Sequence, residues 1–124
     1  MPRRKPTDAE LAILKVLWDR GPSTVREVAV ALGRDGAYTT ILKLLQIMAD
    51  KGHVRRDESA RTHVYAPAFT EHQTQRQLVS DLLDRAFGGS ASKLVLHALE
   101  ARKATPEDLA EIRRLLDQRR GGTR

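Results

Sequence analysis

The sequence predicts a mainly α-helical fold, in which a winged helix-turn-helix of three helices and a small β-hairpin precedes an α-helical dimerisation region. Three observations favour this fold class. The first half contains three short segments with helical spacing of apolar residues and a glycine-bearing turn before the third. A short stretch rich in Val, Thr and Tyr follows. The second half contains only amphipathic segments of helical period.

The first helix begins at a capping box, Thr7-Asp8-Ala9-Glu10, in which hydroxyl and carboxylate can accept hydrogen bonds from amides at the helix start. Its apolar stripe contains Leu11, Leu14 and Trp18, and Gly21-Pro22 ends it. Ser23 or Thr24 can cap the second helix. That helix is expected to bury four apolar side chains at helical spacing: Val25, Val28, Ala29 and Leu32.

The third helix is predicted over about Ala37–Lys51, after a turn at Gly33–Gly36 and before Gly52. Its apolar stripe consists of Ile41, Leu44, Leu45 and Met48. At 100° per residue, the opposite side of the helix carries Thr39, Lys43, Gln46 and Asp50. This polar side is the candidate surface for contact with DNA bases.

A β-hairpin is expected next, because the residues of His53–Asp57 and Arg61–Ala66 favour strands. The bend at Glu58–Ala60 lacks the Asn-Gly or Asp-Gly pair that marks many hairpins, and Pro67 closes the second strand. A helix-turn-helix followed by a hairpin is the outline of a winged helix.

The second half predicts three helices: Thr70–Phe87, a shorter one capped by Ser90, and a last one opening at Thr105-Pro106. The basic tail Arg119–Arg124 is expected to fray.

We predict two domains, a winged-helix domain over residues 1–69 and a helical dimerisation region over residues 70–124. About 55 residues of this composition make a marginal core, so a second copy is expected to bury their apolar stripes. The residues predicted at this homodimer contact are Leu78, Val79, Leu82, Leu83, Phe87, Leu94, Val95, Leu99, Leu109, Ile112 and Leu116.

The charge distribution favours nucleic acid as the partner of the first half. The chain has a formal net charge of +6, and its first 66 residues carry 12 basic and 8 acidic side chains. In a helix-turn-helix the third helix enters the major groove, where hydroxyl, amide and ammonium groups bind base edges. The predicted base-reading residues are Thr39, Thr40, Lys43 and Gln46. The predicted phosphate and wing contacts are Tyr38, Arg55, Arg56 and Arg61, together with Arg3, Arg4 and Lys5 of a basic N-terminal arm.

Enzymes and metal sites are poorly supported. The chain has no cysteine, which excludes disulfides, thiolate metal sites and a cysteine nucleophile. His53 and His63 could face each other across the hairpin, but no carboxylate cluster accompanies them, and we expect no metal or cofactor. Ser90–Lys93 matches the Ser-x-x-Lys pattern of penicillin-recognising enzymes by chance, because the accompanying motifs are missing. No apolar run approaches the roughly 20 residues of a membrane span, so a soluble cytoplasmic protein is expected.

The residues resemble the penicillinase-repressor family of bacterial transcription regulators, the BlaI/MecI/CopY group. The similarity covers Thr7 to about Leu116. Thr7–Leu14 with Leu17-Trp18 is similar to the first helix of that family, and Thr24–Val28 to its second. The segments similar to its recognition helix, wing and dimerisation region are Tyr38–Ile41 with Leu44-Leu45 and Lys51-Gly52, then Arg61–Pro67, then Gly88-Gly89 with Leu94-Val95 and the helix from Thr105.

The resemblance implies a dimeric winged-helix repressor that binds a palindromic operator. It also implies a membrane sensor protease as a candidate partner, since antibiotic-responsive members are inactivated by cleavage at an Asn-Phe bond. This chain has no Asn, and Val79–Leu82 stands in the corresponding stretch, so a different bond would have to serve. The cysteine cluster used by copper-responsive members is missing too, and the inducing signal stays open.

Two other classes of protein fit the residues. A non-specific nucleoid-type protein predicts similar affinity for operator and random duplex at physiological salt. A helix-turn-helix module that docks a polypeptide predicts weak DNA binding that salt does not change.

Overall fold

The computed structural model describes residues 5–101 and 104–122. The helices are α1 (Asp8–Arg20), α2 (Val25–Ala31), α3 (Tyr38–Lys51), α4 (Glu71–Phe87), α5 (Ala91–Ala101) and α6 (Pro106–Gly122). A short 3₁₀ helix, Asp35–Ala37, precedes α3, and the strands β1 (Val54–Asp57) and β2 (Val64–Pro67) stand between α3 and α4. This confirms the predicted fold class, a winged helix-turn-helix followed by helices.

Four helices begin with the same reciprocal pair of hydrogen bonds. A threonine hydroxyl accepts from the amide three residues on, and the side chain of that residue accepts from the threonine amide. The donor–acceptor distances run from 2.8 to 3.2 Å. The pairs are Thr7 and Glu10, Thr24 and Glu27, Thr70 and Gln73, and Thr105 and Asp108. The sequence therefore encodes the start of these four helices locally, and Thr24 rather than Ser23 caps α2.

The end of α3 directs the chain into the hairpin. Gly52 adopts the left-handed conformation with φ 85°, and the amide of His53 donates to the carbonyl of Met48 at 2.9 Å. These contacts use the residues that were expected to begin the first strand, so β1 begins one residue later, at Val54.

The hairpin is shorter and shifted relative to the prediction. Val54 pairs with Pro67 and Asp57 pairs with Val64, in antiparallel register. The second strand does not begin at Arg61, because the carboxylate of Asp57 accepts from the amide of Ser59 at 2.9 Å and turns the chain away. Ser23 forms an isolated antiparallel bridge with β2: its amide and carbonyl bond the backbone of Tyr65 at 2.9 and 2.8 Å.

The core lies between the first three helices and the hairpin. It consists of Ile13, Leu14, Leu17, Val25, Val28, Ala29, Ile41, Leu45, Met48, Val54 and Tyr65. Leu11, Trp18 and Leu44, expected in the apolar stripes, are only partly buried at its edge. The indole Nε1 of Trp18 donates to the carbonyl of Phe69 at 3.0 Å and holds the end of the wing against α1.

The chain divides after Val79 into two compact units. The first unit contains the whole core and the first half of α4, where Thr74 is buried. In the second unit, no side chain described from Ser80 onward is buried. A functional boundary at residues 69 and 70 stays a prediction. α6 continues to Gly122, and the positive charges of Arg119 and Arg120 in its last turn interact favourably with the negative end of the helix dipole. Fraying of the basic tail stays a prediction.

Within residues 5–101 and 104–122, no helix combines the length and the hydropathy that a membrane-spanning segment requires.

Candidate nucleic-acid interface

The polar face of α3 is the first component of the site. Ile41, Leu45 and Met48 are buried in the core and so fix the rotation of the helix about its own axis. As a result, all four predicted base-reading side chains, Thr39, Thr40, Lys43 and Gln46, are exposed. They lie within the first nine residues of α3, and the N-terminal part of a recognition helix is the part that contacts base edges.

A buried ion pair holds the other end of α3. The Nζ of Lys51 donates to Glu10 Oε1 at 2.7 Å, and the same carboxylate accepts from the amide of Thr7. Burial raises the pKa of Glu10, but the hydrogen bonds from Lys51 and Thr7 outweigh it and hold that pKa below its ordinary value. One carboxylate thus caps α1 and fixes the last residue of α3.

The two wing arginines of β1 differ in their surroundings. Arg55 and Arg56 are neighbours in a strand, so their side chains point to opposite faces of the hairpin. Arg56 pairs across the hairpin with Tyr65, and its Nε donates to Glu58 Oε2 at 2.6 Å. Hydrogen bonds to the Tyr65 hydroxyl and to Glu58 raise the pKa of Arg56. Both arginines are exposed, but Arg56 is hydrogen-bonded within the hairpin, whereas Arg55 lies on the other face.

A groove of about 510 Å³ separates the start of α2 and the start of α3 from the wing. Among its lining residues are Thr24, Arg26, Tyr38, Arg61, His63 and Tyr65. It brings together Tyr38 and Arg61, both predicted as phosphate contacts. It also contains Arg26 and His63, which the sequence reasoning did not select. The capping box Thr24–Glu27 could have indicated Arg26, because it places Arg26 in the first turn of a helix next to the recognition helix.

The remaining predicted contacts lie elsewhere. Lys5 is exposed just before α1, whereas Arg3 and Arg4 lie outside the described residues. His53 is buried at the start of the wing and His63 is exposed, and the described part of the chain contains no cluster of three potential metal ligands.

The predicted dimerisation residues are all apolar, and none of them is fully buried. Val79, Leu82, Val95, Leu99, Leu109 and Leu116 are each at least 36 % exposed. Leu78, Leu83, Phe87, Leu94 and Ile112 are half-buried. Two leucines outside the predicted set, Leu96 on α5 and Leu115 on α6, are 60 % and 54 % exposed.

An exposed polar recognition helix beside a basic wing defines a winged-helix DNA-binding protein. The family model described as Penicillinase repressor matches residues 6–118, so the chain belongs to the penicillinase-repressor family. It is a family of transcriptional repressors that bind DNA, not of enzymes, and this confirms both the resemblance and the predicted functional class.

Individual relatives extend the comparison. The chain is 36 % identical over 119 residues to the transcriptional regulator BlaI of Mycobacterium tuberculosis, covering 93 % of this chain and 85 % of that one. It is 26 % identical over 114 residues to the penicillinase repressor of Bacillus licheniformis, covering 90 % and 89 %. A solution structure of apo-NmtR superposes with a TM-score of 0.45 at 24 % identity, over 80 % of this chain and 67 % of that one.

Proposed function

We propose that the protein acts as a homodimer, binding a pseudo-palindromic operator through α3 in the major groove and thereby blocking transcription. The observation that carries this proposal is the exposed polar face of α3, held in place by the core on one side and by the Glu10–Lys51 pair at its end. Two symmetry-related copies of α3 then meet successive major grooves about 10 base pairs apart.

The base-reading roles follow from side-chain chemistry. Gln46 can donate to and accept from one adenine edge, and the ammonium group of Lys43 can donate to guanine acceptors. The methyl groups of Thr39 and Thr40 can contact thymine methyl groups, and their hydroxyls can bond base edges or phosphates. All four side chains are exposed on one side of α3.

The backbone contacts are assigned to Tyr38, Arg55 and Arg61, with Arg3, Arg4 and Lys5 adding contacts from the arm. These groups donate to phosphate oxygens and fix the register of the protein on the duplex without selecting a base. Arg56 can contact a phosphate only after its hydrogen bond to Glu58 breaks, because the phosphate and the Glu58 carboxylate compete for the same guanidinium group.

The homodimer is supported by the apolar surface of the second unit. Fully burying one leucine side chain is worth roughly 1.5–3 kcal/mol, so the exposed leucines of α4, α5 and α6 leave substantial free energy unused in a single chain. A second copy of the same surface removes them from water in a closed, symmetric contact.

Footprinting on the DNA upstream of the chain's own gene, repeated over a range of salt concentrations, tests the proposed function. We expect protection of a pseudo-palindrome at concentrations that leave a random duplex of equal length unbound. Equal affinity for both duplexes indicates the nucleoid-type alternative, and weak binding that salt does not change indicates the protein-interaction module.

A repressor of this kind works where the DNA is, in the cytoplasm, and a membrane sensor protease is its candidate upstream partner. A gene for such a protease beside the repressor gene supports that partnership. Co-expression of the two should then yield chains cut in the second unit on induction.

A further inference from the structure

We propose that the groove between α2, α3 and the wing is a binding site for DNA backbone phosphates, with Arg26 and His63 as its additional contacts. The inference rests on the proposed function, since it assigns residues to the same DNA complex. It extends the proposed DNA interface beyond α3 and the wing arginines to the start of α2.

The chemistry of the groove walls is that of a phosphate site. Two guanidinium groups, those of Arg26 and Arg61, meet there with the imidazole of His63 and the hydroxyls of Tyr38 and Thr62. These side chains can all donate hydrogen bonds, and charge-assisted bonds from arginine to phosphate are among the strongest in proteins. No carboxylate lines the groove in the part of the chain that the structure describes. The nearest acid in sequence, Glu27, accepts from the amide of Thr24 at 2.8 Å and caps α2.

The size and stiffness of the groove suit a strand of the duplex. Its volume of about 510 Å³ lies within the range of roughly 300–1,000 Å³ of small-ligand sites, which leaves room for a phosphate group. Val25 and Tyr65 are buried and form part of its lining. The two backbone bonds between Ser23 and Tyr65 join the wall that carries α2 to the wall that carries β2.

The groove is continuous with the base-reading face. Tyr38, in its lining, directly precedes Thr39, the first of the predicted base-reading residues. A phosphate bound here therefore borders the major groove that receives α3, which is where helix-turn-helix proteins contact the backbone.

Salt-dependent binding of the full-length chain tests the assignment. The probes are a duplex with the DNA upstream of its own gene and a random duplex of equal length, measured by fluorescence anisotropy. Arg26→Gln should weaken binding to both duplexes by a similar factor. It should also make the slope of log affinity against log salt shallower by about 0.9, the contribution of one phosphate. His63→Leu should weaken both as well, while His63→Gln, which keeps a donor, should retain more of the affinity.

Lys15→Gln is the matched control, since it also removes one exposed positive charge. Lys15 lies on α1 beside Ala31 and Leu32, at the other end of α2 from the groove. It should leave the slope unchanged. An Arg26→Gln slope equal to that of wild type and of Lys15→Gln overturns the proposal.

Duplexes with single methylphosphonate substitutions separate a direct contact from an indirect effect. At the phosphate that Arg26 contacts, the neutral methylphosphonate should lower the affinity of wild type but should hardly lower the affinity of Arg26→Gln any further. The two changes are then non-additive in a double-mutant cycle. Additive losses at every phosphate overturn the assignment. If wild type itself binds neither duplex, the proposed function fails; if wild type binds and the cycle is additive, only the groove assignment fails.

Discussion

At the scale of single residues, the environment of a charged group decides what it can contribute. Lys43 and Lys51 both lie on α3, yet the first is exposed on the polar face and the second is bonded to buried Glu10. Arg55 and Arg56 differ in the same way, because only Arg56 is held by Glu58. Lys51 thus belongs to the scaffold that holds α3, whereas Arg56 is exposed but paired with an acid of its own hairpin.

Lys43→Ala is expected to lower operator affinity without changing the fold or the oligomeric state. A single specific contact to a base is worth about 1–3 kcal/mol, so the dissociation constant should rise roughly 5- to 150-fold on the upstream duplex. A gel-shift titration against wild type measures it, with Lys15→Ala as the control for charge. Unchanged affinity would count against Lys43 as a base-reading residue.

Glu10→Gln is expected to destabilise the first unit by about 1–3 kcal/mol at neutral pH, since it leaves Lys51 with a weaker acceptor. The pKa of Glu10 is lowered in the folded state, so its carboxylate stabilises the fold above the unfolded pKa and loses this effect as pH falls through the folded pKa. Urea unfolding from pH 7 down to pH 3 should therefore show wild type converging on the variant. A constant gap across that range would contradict this role.

At the scale of elements, the wing contains both acidic and basic side chains. Asp57 and Glu58 stand at its tip beside Arg56 and Arg61, and the Arg56–Glu58 contact is at 2.6 Å. The sequence predicted an arginine-rich hairpin, but it did not show that Glu58 would pair with Arg56.

Glu58→Gln is expected to strengthen binding to random duplex several-fold, because it removes a negative charge from the wing and releases Arg56 for a phosphate. The salt dependence should become steeper by up to about 0.9. Anisotropy titrations of the variant and of Glu107→Gln, which removes a charge from α6, make the comparison. Equal affinities in the two variants would show that Glu58 does not restrain Arg56.

Local sequence signals predicted most of the fold. Apolar spacing, cap residues such as Thr7 and Ser90, and glycine or proline at the ends placed the helices to within a residue or two, since these signals act over one or two turns. The hairpin bounds were displaced, because Asp57–Ser59 and Gly52–His53 use backbone groups that strand propensity ignores. The groove was not predictable, since Arg26 and His63 are far apart in sequence and meet only through the packing of α2 against the wing.

At the scale of the whole molecule, the two units differ in how far they bury their apolar side chains. The first unit has a closed core around Ile13, Leu45 and Tyr65. The second leaves its leucines exposed, so its stability is expected to depend on protein concentration, as it does for obligate dimers.

Leu82→Glu is expected to shift the protein from dimer towards the 13.9 kDa monomer and to reduce operator affinity more than any single contact does. A charge inside an apolar contact is costly, and separate monomers lose the gain from binding two half-sites together. Light scattering at micromolar concentration, followed by gel shift, measures both effects. Val30→Glu, at a similarly exposed apolar position in the first unit, should leave the mass unchanged. A monomeric wild type would contradict the dimer itself.

The Ser23–Tyr65 bridge has a thermodynamic consequence for recognition. It joins the segment before α2 to β2 through two peptide hydrogen bonds, and so fixes the spacing of the groove walls before any duplex arrives. The entropy of ordering these walls is then lost on folding rather than on association. This part of the first unit is therefore expected to be preorganised, and the heat-capacity change when it binds DNA should reflect surface burial without a contribution from refolding of the groove walls.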